Sequence, residues 1–301
     1  MVSGGRMTAP LLITGGTGQV AQALTEQASR RGMAARTVGR PDFDFDRPES
    51  IDDVFAATRP RLVINAAAYT AVDAAEDDAA AAFRANRDGP ARLAALAAAA
   101  GIPLIHISTD YVFDGTKGAP YVETDPTAPG GVYGASKLAG EEAVLASGAR
   151  ALILRTSWVY SARGRNFVRT MLAAAAAGRD LRVVADQRGA PTAAEDLASL
   201  ILDLVARVDA GAQDGDWGLY HAAGRGEASW HAFAVAIFAE AARFGVPTPP
   251  IAAIATSDWP TRARRPADSR LDCEKLGRAF GLALPPWRES LARVIAALCA
   301  V

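Results

Sequence analysis

The 301-residue chain is half hydrophobic and 22% charged, and its 32 basic and 33 acidic residues leave a formal net charge of −1. That balance offers no electrostatic case for binding nucleic acid or an anionic membrane, and it supplies ample apolar material for a core. The two cysteines, Cys273 and Cys299, stand in no metal-ligand spacing and indicate a reducing compartment without a disulfide framework.

No apolar stretch precedes the first glycine turn, so no signal peptide is expected and the cytoplasm is the default compartment. Residues 10–14 read as a first strand, followed by a helix ending near Arg31. Between them lies Gly15-x-x-Gly18-x-x-Ala21. Glycines there let the backbone approach a pyrophosphate closely, and the helix N-terminus offers unpaired N–H groups and partial positive charge. Gly15, Thr17, Gly18, Gln19 and Val20 are therefore candidate cofactor contacts, against the blander reading of a plain tight turn.

Residues 35–38 form a second strand, ending at Val38-Gly39-Arg40. An acidic residue at such a strand end would favour NAD, whereas arginine suits the 2′-phosphate of NADP. Arg40 therefore leans toward NADPH and leaves NADH open, with a solvated surface arginine as the competing reading. Asp44 and Phe45, slightly further on, are candidates to lie near the adenine. Residues 61–65 give a third strand, and the small Ala66, Ala67 and Ala68 after it would let a flat cofactor pass.

The acidic group Asp73, Glu76, Asp77 and Asp78 reads as a solvated helix start, where carboxylates favour the dipole. The alanine-rich run 79–100 contains Arg84, Asn86, Arg87, Asp88 and Arg92, too polar for a span of about 20 apolar residues. Residues 104–108 make a fourth strand, in which His106 reads as a satisfied core histidine. Ser108-Thr109 ends it at the edge where open α/β sheets bind ligands. A hydroxyl there can donate to a carbonyl oxygen that gains charge during hydride attack.

Tyr133-Gly134-Ala135-Ser136-Lys137 follows. On a helix, positions i and i+4 share a face, and a cation beside a phenol favours the phenolate and lowers its pKa toward working pH. Residues 151–155 make a fifth strand. Short apolar strands alternating with helices indicate a doubly wound parallel α/β sheet of the Rossmann type, covered on both faces. After Thr156 prolines and tryptophans become frequent. We expect a dinucleotide-binding domain over 8–156 and a smaller α/β substrate-binding portion over 157–301, with 216–223 returning a strand to the main sheet.

These motifs, together with Asn86, Ser108-Thr109-Asp110-Tyr111-Val112-Phe113 and Tyr133-x-x-x-Lys137, resemble the extended short-chain dehydrogenase/reductase superfamily. Residues 65–73, 155–160, 186–192 and 265–271 narrow the resemblance to dTDP-4-dehydrorhamnose reductases, over nearly the whole span from Pro10 to Trp287. The resemblance implies that Tyr133 protonates the C4 oxygen of a nucleotide-linked keto sugar. It implies that Lys137 binds the nicotinamide ribose and lowers the Tyr133 pKa, and that Thr109 hydrogen-bonds the same oxygen. Thr70, Val72, Thr109, Asp110, Tyr111, Trp158 and Gln187 would contact the sugar nucleotide, with plain core as the alternative for Trp158.

Asp268 stands where the family pattern leads one to expect asparagine; a carboxylate beside a diphosphate is unfavourable, so it points elsewhere or the substrate differs. Some family members bind magnesium through late acidic residues, but only Glu289 is available here, so no metal is expected. A 4,6-dehydratase would need an Asp-Glu pair after the threonine, whereas Asp110 is followed by Tyr111. A non-catalytic NADP-binding regulatory subunit of the same fold remains the rival from another class. Alanine-rich helix faces leave a homodimer open.

Overall fold

Six strands pair in register into one parallel sheet: β1 (Leu11–Thr14), β2 (Ala35–Val38), β3 (Leu62–Asn65), β4 (Leu104–Thr109), β5 (Ala151–Thr156) and Gly218–His221. The computed structural model describes residues 9–299. The expected domain limits at 8 and 301, and most of the segment read as lacking a signal peptide, fall outside that range. Strands β1, β3 and β5 are buried at every position because helices cover both faces, which is why they read as unbroken apolar runs.

On one face α1 (Gln19–Arg30) joins a core with the later helix Ala194–Asp209, through Leu24, Ala28, Leu197, Ile201 and Val205. On the other, α2 (Pro48–Thr58) contributes Ile51 and Val54. The chain then makes α3 (Val72–Ala75), α4 (Ala79–Phe83) and α5 (Gly89–Ala100), and α6 (Val132–Ala146) completes this layer. Each core side chain of Leu, Ile or Val size contributes roughly 1.5–3 kcal/mol by leaving water.

The alanine-rich run breaks at a π-helical turn, Arg84–Asp88. Asn86 turns inward there, accepting from the Tyr69 amide at 2.8 Å and donating to the Tyr69 carbonyl (3.0 Å) and Ser136 Oγ (2.9 Å). The extra residue in the turn lets one side chain tie the loop after β3 to α6.

Beyond β5 the chain forms β6 (Val159–Tyr160), α7 (Phe167–Ala176), β7 (Leu181–Val184), β8 (Arg188–Gly189), β9 (Thr192–Ala193) and α8 (Ala194–Asp209). Then β10 (Gly218–His221) hydrogen-bonds to β5 as the outer strand of the large sheet, whose order is β10-β5-β4-β3-β1-β2. The remainder comprises β11 (Ala228–Ser229), α9 (Trp230–Ala241), β12 (Ile251–Ile254), α10 (Glu274–Phe280) and α11 (Trp287–Cys299). Short ladders β6–β9, β7–β12 and β8–β11 brace this part, and Phe233, Ile237, Trp287 and Leu291 give it a core of its own. The chain runs outward from β1 in both directions, to β2 and to β3, so the large sheet has its topological switch there, the place where such sheets bind ligands.

Candidate active site

A cleft of about 980 Å³ opens along the carboxyl ends of these strands. Its walls gather the turn after β1, the strand end at Gly39-Arg40, the loop after β3, the end of β4 and the first turns of α6. Of the residues singled out from sequence, Gly15, Thr17, Gly18, Gln19, Val20, Arg40, Phe45, Ala66, Ala67, Ala68, Thr70 and Val72 all line it. So do Thr109, Asp110, Tyr111, Tyr133, Lys137 and Trp158.

Asp44 and Gln187 do not. Asp44 Oδ1 lies 3.3 Å from Arg40 Nε, and its backbone N–H donates to Ser50 Oγ, which folds it against its own loop. Gln187 is buried and donates from Nε2 to Thr256 Oγ1 at 3.1 Å, so it ties two loops of the C-terminal part together. The cleft also includes residues without a sequence signal, notably Trp230 and Arg165. Trp230 stacks on Trp158 with ring centroids 3.6 Å apart, and Trp158 both lines the cleft and packs against the C-terminal core.

The turn after β1 is shaped for close approach. Gly15 has φ +110°, and a Cβ there would sit 2.8 Å from the Ala66 carbonyl oxygen. A Cβ on Gly39 would lie 2.6 Å from Gly16 Cα, so these two loops touch only because both are glycine. Gly18 caps α1 without a side-chain hydrogen bond, and no acidic residue occupies the first turn. Free N–H groups and the dipole therefore face the cleft, the donor set a pyrophosphate requires. Together with the small Ala66–Ala68 wall, the residues present fit a dinucleotide.

The reactive groups come from β4 and α6. Glu76 Oε1 accepts from the Val132 amide (2.8 Å) and so caps the helix that carries Tyr133 and Lys137. Lys137, 2% exposed, donates from Nζ to the Ile107 carbonyl at 2.6 Å and lies 3.5 Å from His106 Nε2. Burial lowers its pKa to about 8, against the opposing pull of Glu141 one turn on. His106 is indeed a core histidine, but not an isolated one. Thr14 Oγ1 donates to Asn65 Oδ1 (2.6 Å), which turns the Asn65 amide toward His106 Nδ1 at 2.9 Å. Burial first, and the Lys137 charge second, hold its pKa well below the usual histidine value, so the ring is neutral.

Tyr133 departs from expectation. Burial pushes its phenol up to about 12, with the Thr109 hydroxyl opposing, so the proximity of Lys137 does not depress it here. Lys137 turns its ammonium to the Ile107 carbonyl, which leaves the loss of water around the phenol as the larger effect.

Two surrounding charge sets are tied down within the protein, and Asp268 points away from the cleft, one of the two alternatives read from sequence. Asp73 pairs with Arg265 (2.7 Å) and accepts from the Ala263 amide, and Asp77 pairs with Arg262, so these carboxylates strap the 262–265 segment to α3. Asp268 is buried and grips Arg270 through two bonds of 2.6 and 2.8 Å, so its charge is neutralised within the protein rather than aimed at the cleft. Among the described residues, no group of three or more His, Cys, Asp or Glu is arranged to hold a metal ion, and no helix is long and apolar enough to cross a membrane.

The family model for the RmlD substrate binding domain matches residues 8–299. The dTDP-4-dehydrorhamnose reductase of Sinorhizobium fredii is 46% identical, the match covering 96% of this chain and 97% of the relative. That of Escherichia coli K12 is 41% identical over 95% of this chain and 96% of its own length. Among solved structures, a dTDP-4-dehydrorhamnose reductase from Bacillus anthracis in complex with NADP superposes with a TM-score of 0.89 at 32% identity, covering 97% of this chain and all of the other.

Proposed function

The chain belongs to the dTDP-4-dehydrorhamnose reductase family, and on that premise we propose that it reduces the C4 ketone of dTDP-4-dehydro-L-rhamnose to dTDP-L-rhamnose with NADPH. The observation that carries the reading is the single cleft in which Thr109, Tyr133 and Lys137 share walls with the Gly15–Gly18 turn. NADPH bound there would supply the hydride. Tyr133, held in its protonated form by burial, gives its proton to the C4 oxygen as the hydride arrives at carbon. Thr109 donates to the same oxygen while charge gathers on it. Lys137 turns its ammonium to the ribose hydroxyls and to the phenolate that Tyr133 becomes. Trp158 and Trp230, stacked on one wall, give the sugar nucleotide an apolar surface.

NADPH consumption followed at 340 nm with enzymatically prepared dTDP-4-dehydro-L-rhamnose tests the proposal. Substrate-dependent oxidation is expected, and bound NADPH without turnover would leave two readings, a reductase of another dTDP-4-keto-6-deoxysugar or a non-catalytic regulatory protein. Arg40, with 69% of its side chain exposed and only loose pairing to Asp44 and Asp46, is free to turn to a 2′-phosphate. Charged hydrogen bonds are worth about 1.5–3 kcal/mol, so Arg40→Ala should weaken NADPH binding roughly 10- to 100-fold and leave NADH binding nearly unchanged. Equal losses for both cofactors, measured by fluorescence titration, would remove Arg40 as the selector. A cytoplasmic homodimer belongs to the same proposal, and sedimentation velocity tests its oligomeric part.

A further inference from the structure

Asp110 is a buried carboxyl group in the cleft, placed by the resemblance against the sugar nucleotide, and the reductase steps above give it no proton to move. It is 1% exposed, follows the last residue of β4, and lines the cleft beside Tyr111 and Tyr133. Its Oδ1 accepts from the Thr109 hydroxyl at 3.0 Å, and its buried Oδ2, faced by the Ser269 hydroxyl, makes no well-formed hydrogen bond among the described residues. Thr109 has one proton to give and two lone pairs. In this geometry the proton points to Asp110, although the Tyr133 phenol also faces the hydroxyl, and one lone pair takes the Tyr111 amide at 3.2 Å. A Thr109 so engaged has nothing left to donate to a substrate oxygen.

We propose that Asp110 is a positioning residue that switches Thr109: ionised, it occupies the Thr109 proton; protonated, it donates to Thr109 Oγ1 and frees that proton for the C4 oxygen. The switch deepens the reductase reading and rests on it. No covalent bond changes; one proton enters the carboxyl group from solvent through the cleft, and the Thr109 hydroxyl rotates. The groups facing Asp110 are the hydroxyls of Thr109 and Ser269, the Tyr111 amide, and the phenols of Tyr111 and Tyr133. The nearby cation, Arg265, is held by Asp73. Burial outweighs the hydroxyl support and raises the Asp110 pKa from the usual 3.8 to about 7. Thr109 is thus free to donate below about pH 7 and increasingly engaged above it.

The test compares the pH dependence of kcat/KM for dTDP-4-dehydro-L-rhamnose in the wild type and in Asp110→Asn, whose amide stays neutral and can donate to Thr109. The wild type should lose about tenfold per pH unit above pH ~7. The variant should lack that limb and decline only where Lys137 titrates, near 8. Isotope-edited infrared spectra should show a protonated carboxyl band in the wild type at about pH 6, absent in the variant and gone by about pH 8. Superimposable profiles in two active enzymes overturn the switch alone, as does a missing carboxyl band. A wild type without turnover overturns the reductase reading and the switch with it. If the variant does not fold, judged by loss of NADPH binding, the wild-type infrared titration decides.

Discussion

Tyr133→Phe is expected to lower kcat about 10²- to 10⁴-fold, the range supplied by a positioned general acid, while NADPH binds nearly as before. The substitution removes the hydroxyl and little else. The ring keeps its edge-on packing against Tyr111, whose centroid lies 5.6 Å away, and Lys137 keeps its bond to the Ile107 carbonyl. The loss therefore falls on the chemical step, and KM for the sugar nucleotide should move far less than kcat. Because burial holds the Tyr133 phenol near 12, the group carries its proton throughout the neutral range. It is set up as an acid for reduction more than as a base for the reverse reaction. Stopped-flow measurement of NADPH oxidation in single turnover separates hydride transfer from product release. A single-turnover rate equal to that of the wild type would take Tyr133 out of the mechanism.

Much of this site was legible in the sequence because its parts are local. The Gly15–Gly18 turn, the Thr109 strand end and the Tyr133–Lys137 pair each declare themselves within a few residues, and parallel-sheet topology brings such strand ends to one edge. What escaped depends on partners far along the chain. The acidic residues around α3 look like a solvated helix start, yet Asp73 reaches Arg265 and Glu76 caps α6. No local pattern announces a partner 192 residues away. His106 reads as core and is core, but its contact with Lys137 follows from the β4–α6 packing. Gln187 lies in a segment that resembles the reductases, and only packing reveals that its amide is spent on Thr256. Spacing also points the Tyr133 pKa downward through the cation, whereas burial moves it upward, and the depth of the phenol in the cleft wall has no local signature.

The second large effect is on stability, at Glu141. Glu141 and Arg155 have side chains 2% and 3% exposed, and they meet between α6 and β5 through bonds of 2.6, 2.9 and 3.2 Å. Ser108 Oγ donates to the same carboxylate, and the guanidinium lies 4.9 Å above the Phe113 ring. Among the described residues, Arg155 Nη1 and His221 Nε2 have no hydrogen-bond partner. The pair is thus already short of hydrogen bonds, and its Coulomb attraction offsets a heavy desolvation cost. Glu141→Gln leaves the arginine charge buried without a counter-charge. Urea unfolding should show a loss of about 3–5 kcal/mol, a large share of the 5–15 kcal/mol typical of folded domains. Glu141→Leu combined with Arg155→Met should recover most of that loss, because removing both charges also removes the need to solvate either. If the double variant is instead as unstable as the sum of the single ones, the two residues stabilise the fold independently. The consequence reaches the cleft, since Glu141 is the carboxylate that supports the Lys137 charge one turn away. Restoring the fold with an apolar pair should therefore leave a stable enzyme whose lysine gives up its proton at a lower pH.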